Sequence, residues 1–542
     1  MAPHLRNLGR AARLLRTWTA AVVLAGGLWA GAGAGTAHAA SGIDPIDASS
    51  FQLTALPDHA DDIGQLAQNP ALSTQSLTGL AGTGTAGRSG LCYPTPFNPG
   101  VHAAGYCWDD SADESGTNGW APQGLSLPHA KTSDGTWGGH RWEVTSWHAA
   151  SDSLAKLRFI DRDSATPRYV DVLLITPGTA GAFTTRPGHV DSVVWYGDNL
   201  LVGYGKRLDV YQLGDLRRDS IGFQGFTYLL PVRYSYSTTG LADGACASLT
   251  GDGPCLNAMS FDRADQALTS AEYVQDNAPG GRLMRWPFDL DTGLPVSATA
   301  HGSSAATAAW VSPVWHMQGV VFADGAFFIS GTCPSSFDNG YRESDCIHKG
   351  APGAAPSVLT AAPDMTQNLD YDAGADRIHG VNEVDQADEV YPQRVVFDID
   401  PAASAISTVR FKNVNSGKCL LPYGASLNNG ADVVQWDCDG TSPQNWYWSG
   451  DTIRNFQSGR CLTVYGGSST NGALLVQWDC NGSASQEWTR ATGAAGDGSI
   501  LFNGESAQCL TIYGGSTTNG ADAVQWPCDA TNPAHSWVGS AT

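Results

Sequence analysis

Basic side chains are scarce in this 542-residue sequence. It contains 30 Lys and Arg against 52 Asp and Glu, which gives a formal net charge of −22. The basic residues are scattered, and after the N-terminus they form no basic amphipathic stretch. Phosphate backbones would repel such a chain, and anionic lipid would not attract it. The composition therefore argues against nucleic acid and membrane surfaces as partners.

Several motifs that carry chemistry are also missing. The sequence has no Gly-x-Ser-x-Gly elbow, no His-Glu-x-x-His helix and no phosphate-binding loop. It has no Cys-x-x-Cys pair or close Cys/His cluster, so no structural zinc is expected. Serine-hydrolase and metalloprotease activities therefore lack support. We predict no catalytic residue, no metal and no cofactor.

The N-terminus has the features of a secretory signal peptide. Four arginines, Arg6, Arg10, Arg13 and Arg16, precede the apolar run TWTAAVVLAGGLWAGAGAG. A small-residue cleavage motif follows at residues 37–39. No later segment reaches the ~18 apolar residues that a membrane span requires. Residues 1–40 are therefore predicted to be a signal peptide, and the remaining chain to be secreted and extracellular.

Twelve cysteines fit this compartment because they fall into close pairs along the chain. The spacing predicts six local disulfides. The predicted pairs are Cys92/Cys107, Cys246/Cys255, Cys333/Cys346, Cys419/Cys438, Cys461/Cys480 and Cys509/Cys528.

A repeat occupies the C-terminal part of the sequence. Its copies are GKCLLPYGASLNNGADVVQWDCDGTSPQNW, GRCLTVYGGSSTNGALLVQWDCNGSASQEW and AQCLTIYGGSTTNGADAVQWPCDATNPAHSW. Each copy predicts a Cys-Leu strand, an Asn-Gly turn, a Val-Gln-Trp strand and a last strand with a Gln-x-Trp-like motif. One copy cannot bury its apolar face alone, so three must pack together, with Trp446, Trp488 and Trp537 in a shared core. The pattern predicts a disulfide-bonded β-trefoil over residues 407–542.

These motifs resemble the ricin-type lectin family, also known as carbohydrate-binding module family 13, over roughly residues 407–540. In that family a repeat binds sugar through an Asp after Cys-Leu, an aromatic residue before the second Cys, and an Asn-Gln pair. The aromatic position holds tryptophan in all three repeats, whereas the Asp position holds Leu421, Thr463 and Thr511. Loss of a carboxylate that grips sugar hydroxyls should weaken or redirect binding.

The resemblance implies a set of sugar-binding residues. Repeat 2 is the preferred site, with Trp478 stacking on the sugar and Thr463, Asn471 and Gln486 forming hydrogen bonds. The corresponding candidates in the other repeats are Trp436, Gln444, Trp526 and Thr511. The alternative is that the tryptophans pack between repeats and that the trefoil is a spacer.

The upstream sequence predicts two further regions. Residues 41–90 are rich in Ala, Ser, Thr, Gly and Leu and have the composition of a flexible segment, in which ALPDHADDIGQLAQ predicts a short helix. Residues 91–402 contain five strand-turn-strand units, such as DSVVWYGDNLLVGYGKRLDVYQL and QGVVFADGAFFISG. These units favour a β-propeller of five to seven blades, which RVVFDIDP at residues 394–401 would close. A large β-sandwich is the alternative fold. The predicted fold class is all-β, a propeller followed by a trefoil.

Acidic residues in this region allow two interpretations. They cap turns through their side-chain oxygens, or some serve as the carboxylate pair of a glycosidase. The candidates are Asp161, Asp163, Asp191, Asp262, Asp289, Asp370, Asp372 and Glu383. Aromatic residues likewise either pack inside blades or form a docking rim. These are Trp195, Tyr196, Tyr204, Trp286, Trp315, His316 and Tyr371.

The whole plan, a signal peptide, an acidic propeller and a ricin-type trefoil, resembles the β-propeller lectin subunit of bacterial umbrella toxin particles. This resemblance implies an antibacterial role in interbacterial competition, in which the chain docks on adaptor and toxin subunits and directs the complex to glycans on competitor cells. Two alternatives stay open. One is an extracellular polysaccharide-degrading enzyme, a propeller glycosidase or lyase with an appended binding module. The other is a free-standing secreted lectin.

Overall fold

The computed structural model is built almost entirely of β-strands. It describes residues 42–91, 95–108, 119–131, 134–238, 253–274, 280–299, 301–334, 345–383, 394–404 and 406–541. The predicted signal peptide, Cys92 and Cys246 lie outside the described residues.

Five antiparallel four-stranded sheets surround a central axis, and we call them blades 1 to 5. The first strand of each blade contacts the first strands of both neighbouring blades, so the five inner strands form a closed ring. Their strands are Trp120–Ser126, His140–Ala149, Ala155–Asp161 and Arg168–Pro177 in blade 1; Ser192–Tyr196, Asn199–Tyr204, Arg207–Gln212 and Tyr228–Ser237 in blade 2; Ala258–Asp262, Ala267–Ala271, Arg282–Asp289 and Ala308–Val311 in blade 3; Gly319–Ala323, Ala326–Thr332, Asp345–Gly350 and Ser357–Ala362 in blade 4; and Thr366–Asp372, Arg377–Asn382, Val395–Ile399 and Ala104–Cys107 in blade 5.

The predicted propeller is confirmed, and each of the five strand-turn-strand units falls in a different blade. The ring closes differently from the prediction. Val395–Ile399 is the third strand of blade 5, and the sealing strand is Ala104–Cys107 from the N-terminal side of the domain. It pairs antiparallel with the third strand, with Cys107 opposite Val395 and Ala104 opposite Asp398. Both ends of the propeller chain therefore meet in one sheet, which leaves no open junction in the ring.

Apolar side chains fill the space between neighbouring blades. Inner strands are covered on both faces, and all five residues of Ser192–Tyr196 are buried. Leu200, Val202 and Tyr211 of blade 2 share one core with Val144 and Leu157 of blade 1. The continuous apolar runs of these strands thus reflect burial on two sides.

The segment at residues 44–89 covers the outside of the propeller. Its backbone pairs with strands of blades 1, 2, 3 and 5 and with the short strand Arg217–Asp219. The expectation of a flexible segment is therefore wrong for this part, because the paired strands satisfy backbone groups at exposed blade edges. The predicted short helix is confirmed at Ala60–Gln65. The covering strands are Asp44–Ile46, Gln52–Ala55, Leu72–Thr74, Thr85–Ala86 and Arg88–Ser89.

Short elements connect the blades. The remaining short strands are Pro128–His129, Thr136–Trp137, Phe183–Thr185, Arg217–Asp219, Leu294–Pro295 and Ser304–Ala305. The 3-10 turns of this region are Leu66–Gln68, Thr78–Leu80, Pro99–Val101, Thr179–Gly181, Leu213–Asp215 and Phe223–Gly225. None of the helices in the described ranges is long and apolar enough to cross a membrane.

The C-terminal part is a twelve-stranded trefoil. Trp446, Trp488 and Trp537 are buried together in its core, as predicted. Each indole donates the equivalent hydrogen bond, to the carbonyl of Leu420, Leu462 or Leu510 at 2.8–3.1 Å. The strands are Thr408–Asn413, Cys419–Pro422, Val433–Trp436, Trp446–Ser449, Thr452–Asn455, Cys461–Val464, Leu475–Trp478, Trp488–Ala494, Gly498–Asn503, Cys509–Ile512, Ala521–Trp526 and Trp537–Ala541. The 3-10 turns are Tyr423–Ala425, Ser442–Gln444, Tyr465–Gly467, Ala484–Gln486, Ala495–Asp497, Tyr513–Gly515 and Pro533–His535.

Four of the predicted disulfides are confirmed. One joins Cys333 to Cys346 in blade 4, and one closes each trefoil repeat, at Cys419–Cys438, Cys461–Cys480 and Cys509–Cys528. Cys255 is also disulfide-bonded. The predicted partners Cys92 and Cys246 are outside the described residues, so those two pairings stay predictions.

Candidate functional site

Each trefoil repeat presents one tryptophan and one tyrosine to solvent. Trp436, Trp478 and Trp526 are 38–41% exposed. Tyr423, Tyr465 and Tyr513 are 57–59% exposed. Because exposure is nearly equal in the three repeats, these pairs are equivalent surface features. Exposed aromatic side chains with a polar surround are suited to stacking on sugar rings.

Each tryptophan lies at a junction between two repeats. Trp478 packs on Gly430 of repeat 1, and an added methyl group at this glycine would lie 3.2 Å from the ring. In the same way Trp526 packs on Gly472, and Trp436 packs on Gly520. Each glycine has a positive φ and follows the asparagine of the Asn-Gly turn. The three contacts form a cycle that closes the trefoil ring.

A buried glutamine holds each turn against the next repeat. Gln477 donates to the carbonyls of Ser426 and Asn428 at 2.6 and 3.1 Å. Gln435 and Gln525 make the equivalent pairs of hydrogen bonds to the turns of repeats 3 and 2. Sequence reasoning missed these residues, although each one directly precedes an exposed tryptophan in the Val-Gln-Trp motif.

The polar groups beside Trp478 come from two repeats. Asn429 of repeat 1 donates to the carboxylate of Asp479 at 2.6 Å and accepts from the Asp479 amide at 2.8 Å. Arg460 forms an ion pair with the same carboxylate. At the next junction Asn519 donates to Asp437 at 2.8 Å, and Lys418 pairs with that Asp.

The third junction differs. Pro527 follows Trp526 where the other repeats have Asp. Asn471 instead accepts from the side chain of Gln508 of repeat 3 at 3.0 Å. This junction therefore presents an aromatic pair without the neighbouring carboxylate.

The structure does not bring together all the residues predicted for repeat 2. Gln486 is fully buried and donates to the Asp479 carbonyl at 2.8 Å, while its carbonyl accepts from the Asn481 amide at 2.8 Å. The buried Thr463 hydroxyl donates to the Cys461 carbonyl. Asn471 belongs to the junction with repeat 3 and not to the Trp478 junction. The hydrogen-bonding groups near Trp478 are Asn429 and Asp479, from a turn and a strand end that sequence spacing did not connect.

The predicted residues of repeats 1 and 3 also divide into buried polar side chains and exposed tryptophans. Gln444 is buried and braces its own loop through the Asp437 carbonyl and the Asp439 amide. The buried Thr511 hydroxyl donates to the Ala534 carbonyl at 3.0 Å. Trp436 and Trp526 are exposed in the same way as Trp478.

A second concave site lies at one end of the propeller axis. Its cavity of about 190 Å³ is lined by one residue from each inner strand or from the position just before it, namely Gln123, Asp191, Asn257, Gln318 and Gln367. His189 and Tyr273 complete the lining. Four amides and one carboxylate face this cavity, so it is suited to a polar ligand that both donates and accepts hydrogen bonds.

Asp191 is half-buried at this cavity. It accepts from the Gly205 amide at 2.7 Å and from the Asn257 side chain at 3.1 Å. Burial raises the pKa of Asp191 above its ordinary value. From the sequence, Asp191 is one of eight acids that either cap turns or belong to a carboxylate pair.

His189, which lines the cavity, shares an aspartate with a second histidine. His148 and His189 contact the same carboxylate oxygen of Asp152, at 2.7 and 3.2 Å. Burial would lower the pKa of His148, but the Glu383 and Asp152 carboxylates outweigh it and raise the pKa above its ordinary value.

The opposite end of the propeller holds a cavity of about 500 Å³ lined by four of the five blades. Its buried acids face cations: Asp134 pairs with His129 and Arg263, and Asp262 pairs with Arg285. The expected aromatic rim is wrong for Trp195, Tyr196 and Trp286, which are buried within the blades.

Comparison with protein families identifies the C-terminal region. The family described as "Ricin-type beta-trefoil lectin domain" matches residues 407–537. A comparison with curated proteins found no similar sequence.

Solved structures similar to parts of the chain include a designed protein, a lectin and an enzyme. The designed threefold-symmetric protein ThreeFoil is 26% identical over 24% of this chain and 96% of its own, with a TM-score of 0.23. The Macrolepiota procera ricin B-like lectin in complex with lactose is 22% identical over 25% of this chain and 96% of its own, with a TM-score of 0.22. An exo-β-1,3-galactanase from Clostridium thermocellum is 14% identical over 77% of this chain and 95% of its own, with a TM-score of 0.28.

Proposed function

Residues 407–537 form a ricin-type β-trefoil lectin domain, and from this premise we propose that the chain is a secreted glycan-binding protein that directs a larger antibacterial complex of the umbrella toxin type to cell surfaces. The observation that carries the binding function is the set of three equivalent exposed Trp/Tyr pairs. They offer stacking surfaces in a chain whose net negative charge disfavours anionic polymers.

Two features support export and a targeting role. The N-terminal sequence has a basic segment, an apolar run and a small-residue cleavage motif. Four described disulfides are typical of an oxidising compartment. A closed propeller beside the lectin domain offers a separate surface, on which adaptor and toxin subunits would dock.

The binding function is tested by the variant Trp478→Ala on an array of purified bacterial cell-wall polysaccharides and immobilised β-galactosides. Removal of a stacking anchor should weaken binding to the responding glycan by roughly 1–3 kcal/mol. Val538→Ala is the control, because Val538 is equally exposed on the trefoil and lies outside the three junctions. Unchanged binding in the Trp478 variant would show that this junction is not a sugar site.

The targeting role is tested by gel filtration of the native protein from culture supernatant, followed by mass spectrometry of co-eluting chains. A large particle with defined partners supports the proposal. A monomer that still binds glycans contradicts the complex and leaves the free-standing lectin.

One observation favours a second candidate, a polysaccharide-degrading enzyme. Asp191 is a half-buried carboxylate with a raised pKa in an axial cavity, which is a common setting for an acid catalyst. A glycosidase needs a second carboxylate about 5–9.5 Å away, and Glu383 is the nearby candidate, held by Gln367 at 2.7 Å. If the protein is such an enzyme, the purified protein should release reducing sugar from a polysaccharide, and the Asp191→Asn variant should not. No release across a broad polysaccharide panel counts against it.

A further inference from the structure

Three side chains from two blades converge at the rim of the axial cavity. His148 lies near the end of the second strand of blade 1, and Asp152 lies in the turn that follows it. His189 comes from the loop before blade 2 and also lines the cavity. One ligand-type atom from each residue falls within a group no more than 4.8 Å across.

The spacing of these atoms fits a metal ion. Zn²⁺ binds His nitrogen and carboxylate oxygen at ~2.0–2.2 Å, so neighbouring ligand atoms in a tetrahedral site lie roughly 3.3 Å apart. The Asp152 oxygen is 2.7 Å from His148 Nδ1 and 3.2 Å from His189 Nδ1. The two imidazole rings are 3.8 Å apart between centroids. All three ligand atoms lie within 4.8 Å of one another, and rotation of the exposed Asp152 and His189 side chains would bring them to metal-binding distances.

The backbone holds the three residues in place. The Gly188 amide donates to the Asp152 carbonyl at 2.9 Å, which ties the His189 loop to the Asp152 turn. The Asp152 amide donates to the Ala149 carbonyl at 2.7 Å, which fixes the turn after His148. The site is therefore assembled by local hydrogen bonds between two loops.

A carboxylate also lies near the second ring nitrogen of His148. Nδ1 of His148 faces Asp152 and also lies 3.0 Å from the Ala149 carbonyl oxygen. The opposite ring nitrogen, Nε2, lies 3.9 Å from Glu383 Oε1 and 3.4 Å from the side-chain nitrogen of Gln123. Gln367 donates to the other Glu383 oxygen at 2.7 Å. Metal-binding histidines commonly have such a carboxylate at the second nitrogen, where it orients the ring and raises its basicity. An ion pair between His148 and Asp152 alone would require neither His189 nor the Glu383 carboxylate.

We propose that His148, Asp152 and His189 bind a divalent transition-metal ion of the zinc class. Two imidazoles and one carboxylate leave a coordination position open. Since His189 lines the axial cavity beside Asp191 and Asn257, that position faces the cavity and accepts a water molecule or an oxygen of a polar ligand. The axial cavity is then a metal-assisted binding site that is separate from the lectin domain.

The test is calorimetric titration of the full-length secreted chain, without a histidine tag, with ZnCl₂ after treatment with a chelator. Wild-type protein should bind one Zn²⁺ ion per chain at this site, and His189→Ala and Asp152→Asn should lose it. Asp152 has a φ of 53°, a conformation that asparagine adopts readily, so the second variant keeps the turn. His140→Ala is the matched control, because His140 pairs with a single carboxylate, Asp163, at 2.8 Å.

Co²⁺ supplies an independent readout, because its visible absorption reports the ligand set. Wild-type protein should give the spectrum of a site with nitrogen and oxygen ligands, which His189→Ala abolishes and His140→Ala preserves. Glu383→Gln keeps all three ligands but loses the supporting charge, so it should weaken Zn²⁺ binding by roughly 10–100-fold. Absence of Zn²⁺ binding in wild type, or equal binding in wild type, His189→Ala and Asp152→Asn, would overturn the proposal and leave a histidine-aspartate ion pair.

Discussion

At the residue scale, a cluster of buried ionised side chains connects two blades of the propeller. His129 lies between two carboxylates, with Nδ1 at 2.7 Å from Asp134 and Nε2 at 2.8 Å from Asp370. Asp370 also accepts from the Leu127 amide at 2.7 Å. His129 and Asp134 follow the inner strand of blade 1, and Asp370 lies on the inner strand of blade 5. This cluster therefore connects the first and last blades of the ring.

The stability of the protein should fall in alkaline solution because of His129. Burial would lower its pKa, but the two carboxylates outweigh burial and raise the pKa from 6.5 to about 10. A histidine with a raised folded pKa stabilises the fold fully below about pH 6.5, and this contribution is lost as the pH rises to about 10. His129→Gln should therefore flatten the pH dependence of the free energy of unfolding in this window, as measured by urea denaturation.

His129→Gln should lower the free energy of unfolding by roughly 3–5 kcal/mol near neutral pH, because it leaves the buried Asp370 carboxylate without its cation, whereas Asp134 keeps Arg263. His140→Gln, at a half-exposed ion pair, is the control and should change stability little. If wild type and His129→Gln lost stability in parallel between neutral and alkaline pH, the histidine would not be the group responsible.

The turn-capping interpretation of the acids is confirmed for four of them. Asp161, Asp262, Asp289 and Asp372 each accept from a backbone amide two residues ahead, at 2.8–2.9 Å. It does not account for Asp370, Asp191 and Glu383, whose side-chain partners lie far away along the chain, at His129, Asn257 and Gln367. Sequence identifies a turn because its hydrogen bonds are local, whereas the other contacts depend on which blades become neighbours.

At the element scale, the sealing strand Ala104–Cys107 determines whether the ring closes. Its backbone approaches the third strand of blade 5 closely at Gly105. A methyl group at this glycine would lie 2.1 Å from the Val396 carbonyl oxygen and 2.9 Å from the Phe397 Cα. Backbone atoms cannot move aside as a flexible side chain can. The glycine is therefore required by packing.

Gly105→Ala should lower the free energy of unfolding of the propeller by about 1–3 kcal/mol, which is the usual cost of overpacking. We expect a value near the upper end of this range, because the added methyl group would meet backbone atoms. Thermal unfolding monitored by tryptophan fluorescence measures the effect. Gly64→Ala is the matched control, since nothing lies within 4 Å of its added methyl group and it sits in a helix, where alanine is favoured. Equal melting temperatures for Gly105→Ala and wild type would contradict this account of ring closure.

At the scale of the whole molecule, the trefoil presents the same modest binding surface three times. The junction tryptophans are equivalent in exposure and in their contact with a glycine of the preceding repeat. Two junctions add a carboxylate that the third lacks. Such a molecule is suited to dense glycan surfaces, where several weak contacts act together.

The triple variant Trp436→Ala/Trp478→Ala/Trp526→Ala should lose about 10²–10⁴-fold in apparent affinity for an immobilised glycan surface, as measured by surface plasmon resonance. Each single variant should lose much less, because two junctions remain. The triple variant should fold, since it keeps the core tryptophans and the hydrogen bonds that Gln435, Gln477 and Gln525 make between repeats. A triple variant that binds like wild type would place glycan recognition outside the junctions.

The sequence by itself determined the trefoil and the all-β class of the upstream domain. Cysteine spacing, the Asn-Gly turn and the core tryptophan recur within each repeat, so local pattern specifies local structure. The strand-turn-strand units likewise determined that the domain is built of small sheets. The sequence did not decide the blade number, because closure depends on pairing between residues 104–107 and 395–398, almost 300 residues apart along the chain.

Only the tertiary structure decided which side chains share a site. Asn429 reaches Asp479 across a repeat boundary, and His189 reaches Asp152 across a blade boundary. These contacts follow no sequence period, because they arise where hairpins that are separate in the sequence meet in the folded protein. Burial also decided which polar side chains are free to bind a ligand. Gln486 and Thr463, which the sequence assigned to a ligand, are buried and donate to the Asp479 and Cys461 carbonyls of their own repeat.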